Sequence, residues 1–78
     1  MKRISRAVVE FMTASDERVA IDLSHVEYIK EDELAITGTH GTTIYFTSGN
    51  NVFVKEKYDS VRDMLNVFRM GINTGIEE

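Results

Sequence analysis

The chain has 78 residues, a net charge of −4 from nine basic and thirteen acidic side chains, and neither cysteine nor proline. That length allows one domain, burying only roughly 60–65% of its unfolded surface, and without cysteine no disulfide or thiolate metal site can reinforce the small core. The acidic balance argues against a general nucleic-acid binder, because phosphate contacts need a basic face.

Met1-Lys2-Arg3 is a basic start, but Ser5, Arg6 and Glu10 break up the residues after it, so no apolar leader is expected. No apolar run approaches the roughly 20 residues of a membrane span, and the expectation is a cytoplasmic protein. Ser5 to Met12 then reads as a first strand with Ala7, Val9 and Phe11 on one face. Thr13 to Glu17 is a polar break. Arg18 to Leu23 alternates cleanly, with Val19, Ile21 and Leu23 on one side. Bringing Val9 and Phe11 onto the face of Val19 and Ile21 requires an odd-numbered hairpin loop, which the break supplies. Val26 and Ile29 stand three apart, which suits a single 3₁₀ turn after Leu23.

Glu27 to Lys30 reads as a short strand, and Lys30-Glu31-Asp32-Glu33 as a charged turn. Leu34–Gly38 and Thr42–Thr47 form a predicted hairpin. A three-residue loop at Thr39-His40-Gly41 pairs Ile36 with Ile44 and Leu34 with Phe46, and gives Gly41 the left-handed position. Gly49-Asn50 suits a two-residue turn that pairs Phe46 with Phe53 and leads into a last strand from Asn51 to Lys55. Tyr58, Val61, Met64, Leu65 and Phe68 make one apolar helical stripe, with Asp59 or Ser60 as the cap and Gly71 as the stop.

These elements predict an α+β fold: an antiparallel β-meander of about five strands with one C-terminal α-helix packed on one face. Residues 1–72 form the single domain and 73–78 a frayed tail. The expected core is Phe11, Val19, Ile21, Leu23, Ile29, Leu34, Ile36, Ile44, Phe46, Phe53, Val61, Leu65 and Phe68.

The run Ile21-Asp22-Leu23-Ser24-His25-Val26-Glu27-Tyr28-Ile29, the Ile36 to Gly41 hairpin and Thr47-Ser48-Gly49-Asn50-Asn51-Val52-Phe53-Val54-Lys55-Glu56 leading into a helix share a cadence. Over residues 19–65 this resembles the small FlbD-type flagellar proteins, which read strand, hairpin, "T-x-G-x-x-Y-V-V-K-E", helix. The chain departs from them in its extra N-terminal strand and in Lys57-Tyr58, where a capping serine is expected. The resemblance implies a non-enzymatic accessory or regulatory role in bacteria and carries over no catalytic residue.

No catalytic or cofactor motif is present: there is no phosphate-binding loop, dinucleotide fingerprint or zinc-protease helix. The two histidines, His25 and His40, are expected far apart, so no metal site is assigned. Glu31-Asp32-Glu33 lacks the ligand spacing of a calcium loop. Asp22, Ser24 and His25 are too close in sequence to act as nucleophile and base. Neither an enzyme, a cofactor nor a small-molecule substrate is expected. A single sheet and helix leave Val8, Met12, Tyr45, Val52 and Val54 as surplus apolar surface, which predicts a protein-interaction face and a homo-oligomer. The alternative is a nucleic-acid-binding regulator, bacterial or phage-borne, using Lys2, Arg3, Arg6 and Arg18 beside the sheet aromatics Tyr28, Tyr45, Phe46 and Phe53.

Overall fold

A computed structural model describes the backbone of residues 8–74 and the side chains of residues 8–70. The order is β1 (Val8–Met12), β2 (Arg18–Asp22), a 3₁₀ turn (Leu23–His25), β3 (Val26–Leu34), β4 (Thr39–Phe46), β5 (Asn51–Val54) and α1 (Tyr58–Thr74). The fold is α+β. Its described strands form two antiparallel sheets, β1-β2 and β3-β4-β5.

The first hairpin follows from its sequence pattern. Val9 pairs with Ile21 and Phe11 with Val19, so alternation places all four toward the core. Thr13 organises the five-residue loop. Its N–H donates to the Glu17 carbonyl at 2.8 Å, and its hydroxyl accepts from the Ser15 and Glu17 N–H groups. Asp16 takes the left-handed conformation (φ 65°) there, and its carboxylate pairs with the Lys55 ammonium. The 3₁₀ turn after β2 is capped by Asp22, whose Oδ1 accepts from the Ser24 N–H at 2.9 Å.

β3 differs from expectation. It runs unbroken for nine residues through Lys30-Glu31-Asp32-Glu33, which form no turn. The hairpin tip lies instead at residues 35–38, with Leu34 opposite Thr39 and Gly38 at φ 72°. Ile29, not Ile36, faces Ile44, and Val26, not Leu34, faces Phe46. Ile36 is 97% exposed and leaves the core set. The longer ladder wins because Val26 and Ile29 supply the same apolar matches while all of β3 gains a partner. Glu27 is the extra residue of a bulge between Val26 and Tyr28, which keeps Val26 buried while Tyr28 turns outward.

The next turn is also shifted. Phe46 exchanges backbone bonds with Asn50 and Gly49, so the loop is Thr47-Ser48-Gly49 with Gly49 left-handed (φ 99°). Phe53 therefore faces Thr43, and Val52 faces Ile44. Val54 stands opposite Thr42 on the inner face and is fully buried. The Thr42 hydroxyl, also fully buried, donates to the Glu56 carbonyl at 2.9 Å.

The two sheets meet at a bridge between Thr13 and Val54, where the Lys55 N–H donates to the Met12 carbonyl at 2.8 Å. α1 begins where the Lys57 carbonyl accepts from the Val61 N–H, so Lys57 occupies the cap position expected of Asp59 or Ser60. Asp59 instead adds negative charge to the first turn, where the helix dipole favours it. The helix continues through Gly71 to Thr74 and so reaches into the segment assigned to the tail. Glycine lowers helix propensity by only about 1 kcal/mol and stops a helix when its backbone turns left-handed; Gly71 stays helical. Residues 75–78 lie outside the described residues. Val61 and Leu65 anchor α1 in a core with Phe11, Ile21, Leu23, Val26, Ile44 and Val54. Each such buried aliphatic or aromatic side chain contributes on the order of 1.5–3 kcal/mol. The Arg69 guanidinium donates to the Val26 carbonyl at 3.2 Å.

Candidate protein-binding groove

Helical spacing determines what α1 shows to solvent. Val61 and Leu65 point straight into the core, and Met64 and Phe68 flank them half-buried. Val67 falls beyond that face and is 69% exposed. Opposite, β1 presents Val9, and the start of the 3₁₀ turn presents Leu23. Together Val9, Leu23, Met64, Val67 and Phe68, with Asp63 at the rim, line an open groove of about 460 Å³ with apolar walls. The Asp63 carboxylate is held by Arg62 at 3.2 Å, on the helix surface.

The five residues expected to form one interaction face do not share one. Val8 and Met12 are exposed on the outer side of the β1-β2 hairpin. Tyr45 lies on the outer side of the other sheet, stacked on Tyr28 with ring centroids 4.4 Å apart and planes 9° from parallel. Val52 packs against the core. Val54 is fully buried and is corrected from surface to core, because the shifted β4-β5 register turns it inward. Sequence reading missed the groove because Met64 and Phe68 were absorbed into the helix stripe. The available signal was Val67, an apolar residue off that stripe with Met70 three positions on.

Of the expected nucleic-acid contact set, Arg18 alone is among the described residues. Lys2, Arg3 and Arg6 lie outside them. Arg18 is on β2, its guanidinium 3.8 Å from the Glu10 carboxylate. Phe46 faces inward toward the core, away from Tyr28 and Tyr45.

Polar chemistry is dispersed. His40 belongs to β4, not to a hairpin tip, and its Nδ1 is 3.8 Å from a Glu33 carboxylate oxygen. His25 sits at the other end of β3, beside a shallow cleft formed with Ala20, Ile21, Asp22, Phe46, Thr47 and Ser48. Ser24 donates its hydroxyl to Asp22 at 2.7 Å. No group of three or more His, Cys, Asp or Glu side chains among the described residues converges as metal ligands would. Among the described residues, the Asp32 carboxyl is shifted by its hydrogen bonds. The Thr43 hydroxyl donates to its Oδ2 at 2.8 Å and the Glu33 N–H to its Oδ1 at 2.8 Å. These two bonds, the hydroxyl first, hold its carboxyl below the usual 3.8, with Lys30 adding a little and partial desolvation opposing.

Compared with known proteins, the chain matches no family model, no curated protein and no solved structure. Among the described residues no helix is long and apolar enough to cross a membrane.

Proposed function

We propose that the chain is a small, non-enzymatic protein-binding module that self-associates, with the groove between α1 and β1 as the contact between copies. The observation that carries this reading is the apolar groove itself, one wall of which, Val67, is 69% exposed. Two copies can lay such an apolar face against its own equivalent across a two-fold axis, the same patch serving both sides of the contact. The chain's small size adds a reason, since burying Val67 against a second copy extends a core that a 78-residue chain keeps thin. The FlbD-type resemblance points the same way, to a non-enzymatic accessory or regulatory role in bacteria. The nucleic-acid reading has one described contact residue, Arg18, which is exposed and lies 3.8 Å from the Glu10 carboxylate.

Sedimentation across a wide concentration range tests the proposal. The wild-type chain is expected to shift from monomer to dimer, and Val67→Lys to stay monomeric with an unchanged circular dichroism spectrum. A wild-type chain that remains monomeric at millimolar concentration sinks the self-association reading.

A further inference from the structure

β3 is the outer strand of the three-stranded sheet, and among the described residues no strand lies along its other side. In an antiparallel ladder every second residue directs its N–H and C=O away from its neighbour, so an outer strand carries a row of bonding groups ready for another chain. Near its start the Val26 carbonyl is engaged by Arg69. Near its end the Glu33 N–H is engaged by the Asp32 carboxylate, and between the bulge and that bond residues 28–32 offer about 17 Å of strand without proline.

The side chains along this edge select the partner. Within β3, Glu27, Glu31, Asp32 and Glu33 outnumber the single cation Lys30, and Lys57 lines the cleft beside Glu31 and His40. Glu31 is exposed and has no ion-pair partner among the described residues, and Glu33 has only the exposed His40 at 3.8 Å. Two positions apart, Glu31 and Glu33 project to the same side, at the spacing of alternate side chains on a neighbouring strand. Tyr28, 51% exposed and braced by its stack on Tyr45, offers a ring face to a guanidinium. A second β3 would set carboxylates beside carboxylates, and a nucleic-acid strand would meet the same charges.

We infer that the free edge of β3 binds an extended, arginine- or lysine-bearing peptide segment as a fourth strand. Main-chain bonds supply the affinity; Glu31, Glu33 and Tyr28 supply the selectivity. The site is separate from the α1 groove and stands whether or not the chain dimerises there.

The test is residue-resolved hydrogen exchange on the full chain with a synthetic peptide of alternating arginine and valine. Alternate amides between Tyr28 and Asp32 are expected to become protected, in a salt-sensitive way. Glu31→Lys combined with Glu33→Lys, both on exposed side chains, should weaken binding roughly tenfold while circular dichroism stays unchanged. A peptide with glutamate in place of arginine should not bind. The inference is overturned by no protection, by protection confined to the α1 groove, or by equal binding of a backbone-methylated peptide that cannot add as a strand. Equal protection by a single-stranded RNA oligonucleotide overturns it as well.

Discussion

The Phe53 ring lies across Gly41, so that a Cβ at position 41 would stand 2.7 Å from its Cζ and would also collide with the Val54 carbonyl oxygen. Gly41 is thus a glycine because nothing larger fits, whereas Gly38 is one because its backbone is left-handed in open space. The two roles separate by mutation. Gly41→Ala should cost about 1–3 kcal/mol through overpacking, and Gly41→Asn at least as much. Gly38→Asn should be nearly neutral, since asparagine tolerates the left-handed region. Urea unfolding midpoints of the three variants provide the comparison.

Ile36 and Ile44 give a direct reading of the β3-β4 register. Ile44 is fully buried, and Ile44→Val should lower stability by about 0.5–1.5 kcal/mol. Ile36 stands in solvent at the hairpin tip, so Ile36→Asp should change stability by no more than about 0.5 kcal/mol. A large loss for the aspartate variant would restore the alternative pairing of Ile36 with Ile44.

Asp32 should shape the acid limb of the stability curve. Its carboxyl is lowered in the fold relative to the unfolded chain, so the native state favours the ionised form. The associated stability is fully present above the ordinary carboxylate value and is lost as pH falls through the lower folded value. Thr43→Val keeps the β-branch but removes the donating hydroxyl. It should move the Asp32 titration back toward 3.8 in an NMR carboxyl titration and flatten that part of the acid limb.

Asp22 caps the turn that hands the chain from one sheet to the other. Asp22→Ala should cost about 1 kcal/mol, with faster exchange of the Ser24 amide as its local signature. Unchanged exchange at Ser24 would mean that the turn is held by its neighbours and not by the cap.

Sequence patterning revealed those parts of the fold where side-chain period and chain breaks agree. β1 and β2 alternate on both sides of a polar five-residue loop, and that fixes Val9 opposite Ile21 and Phe11 opposite Val19. Val61 and Leu65 likewise follow from helical spacing. The charged run 30–33 was misleading because a solvent-facing outer strand carries charge without cost, whereas in a central strand the same residues would end it. Gly41 was misleading for a different reason: steric exclusion and left-handed backbone select the same residue type. The groove was hidden because Val67 signals surface apolarity, but only tertiary packing sets Val9 and Leu23 across from it.

The Tyr28-Tyr45 stack has a spectroscopic consequence. The chain contains three tyrosines and no tryptophan, so tyrosine alone dominates its ultraviolet emission. Two of the three rings lie face to face across β3 and β4, directly opposite in the ladder, while Tyr58 stands apart at the start of α1. Their transition dipoles couple only while that hairpin is closed. The near-ultraviolet dichroism of the wild-type chain is therefore a built-in gauge of β3-β4 pairing, independent of the helix signal in the far ultraviolet, and Tyr28→Phe is the variant that calibrates it.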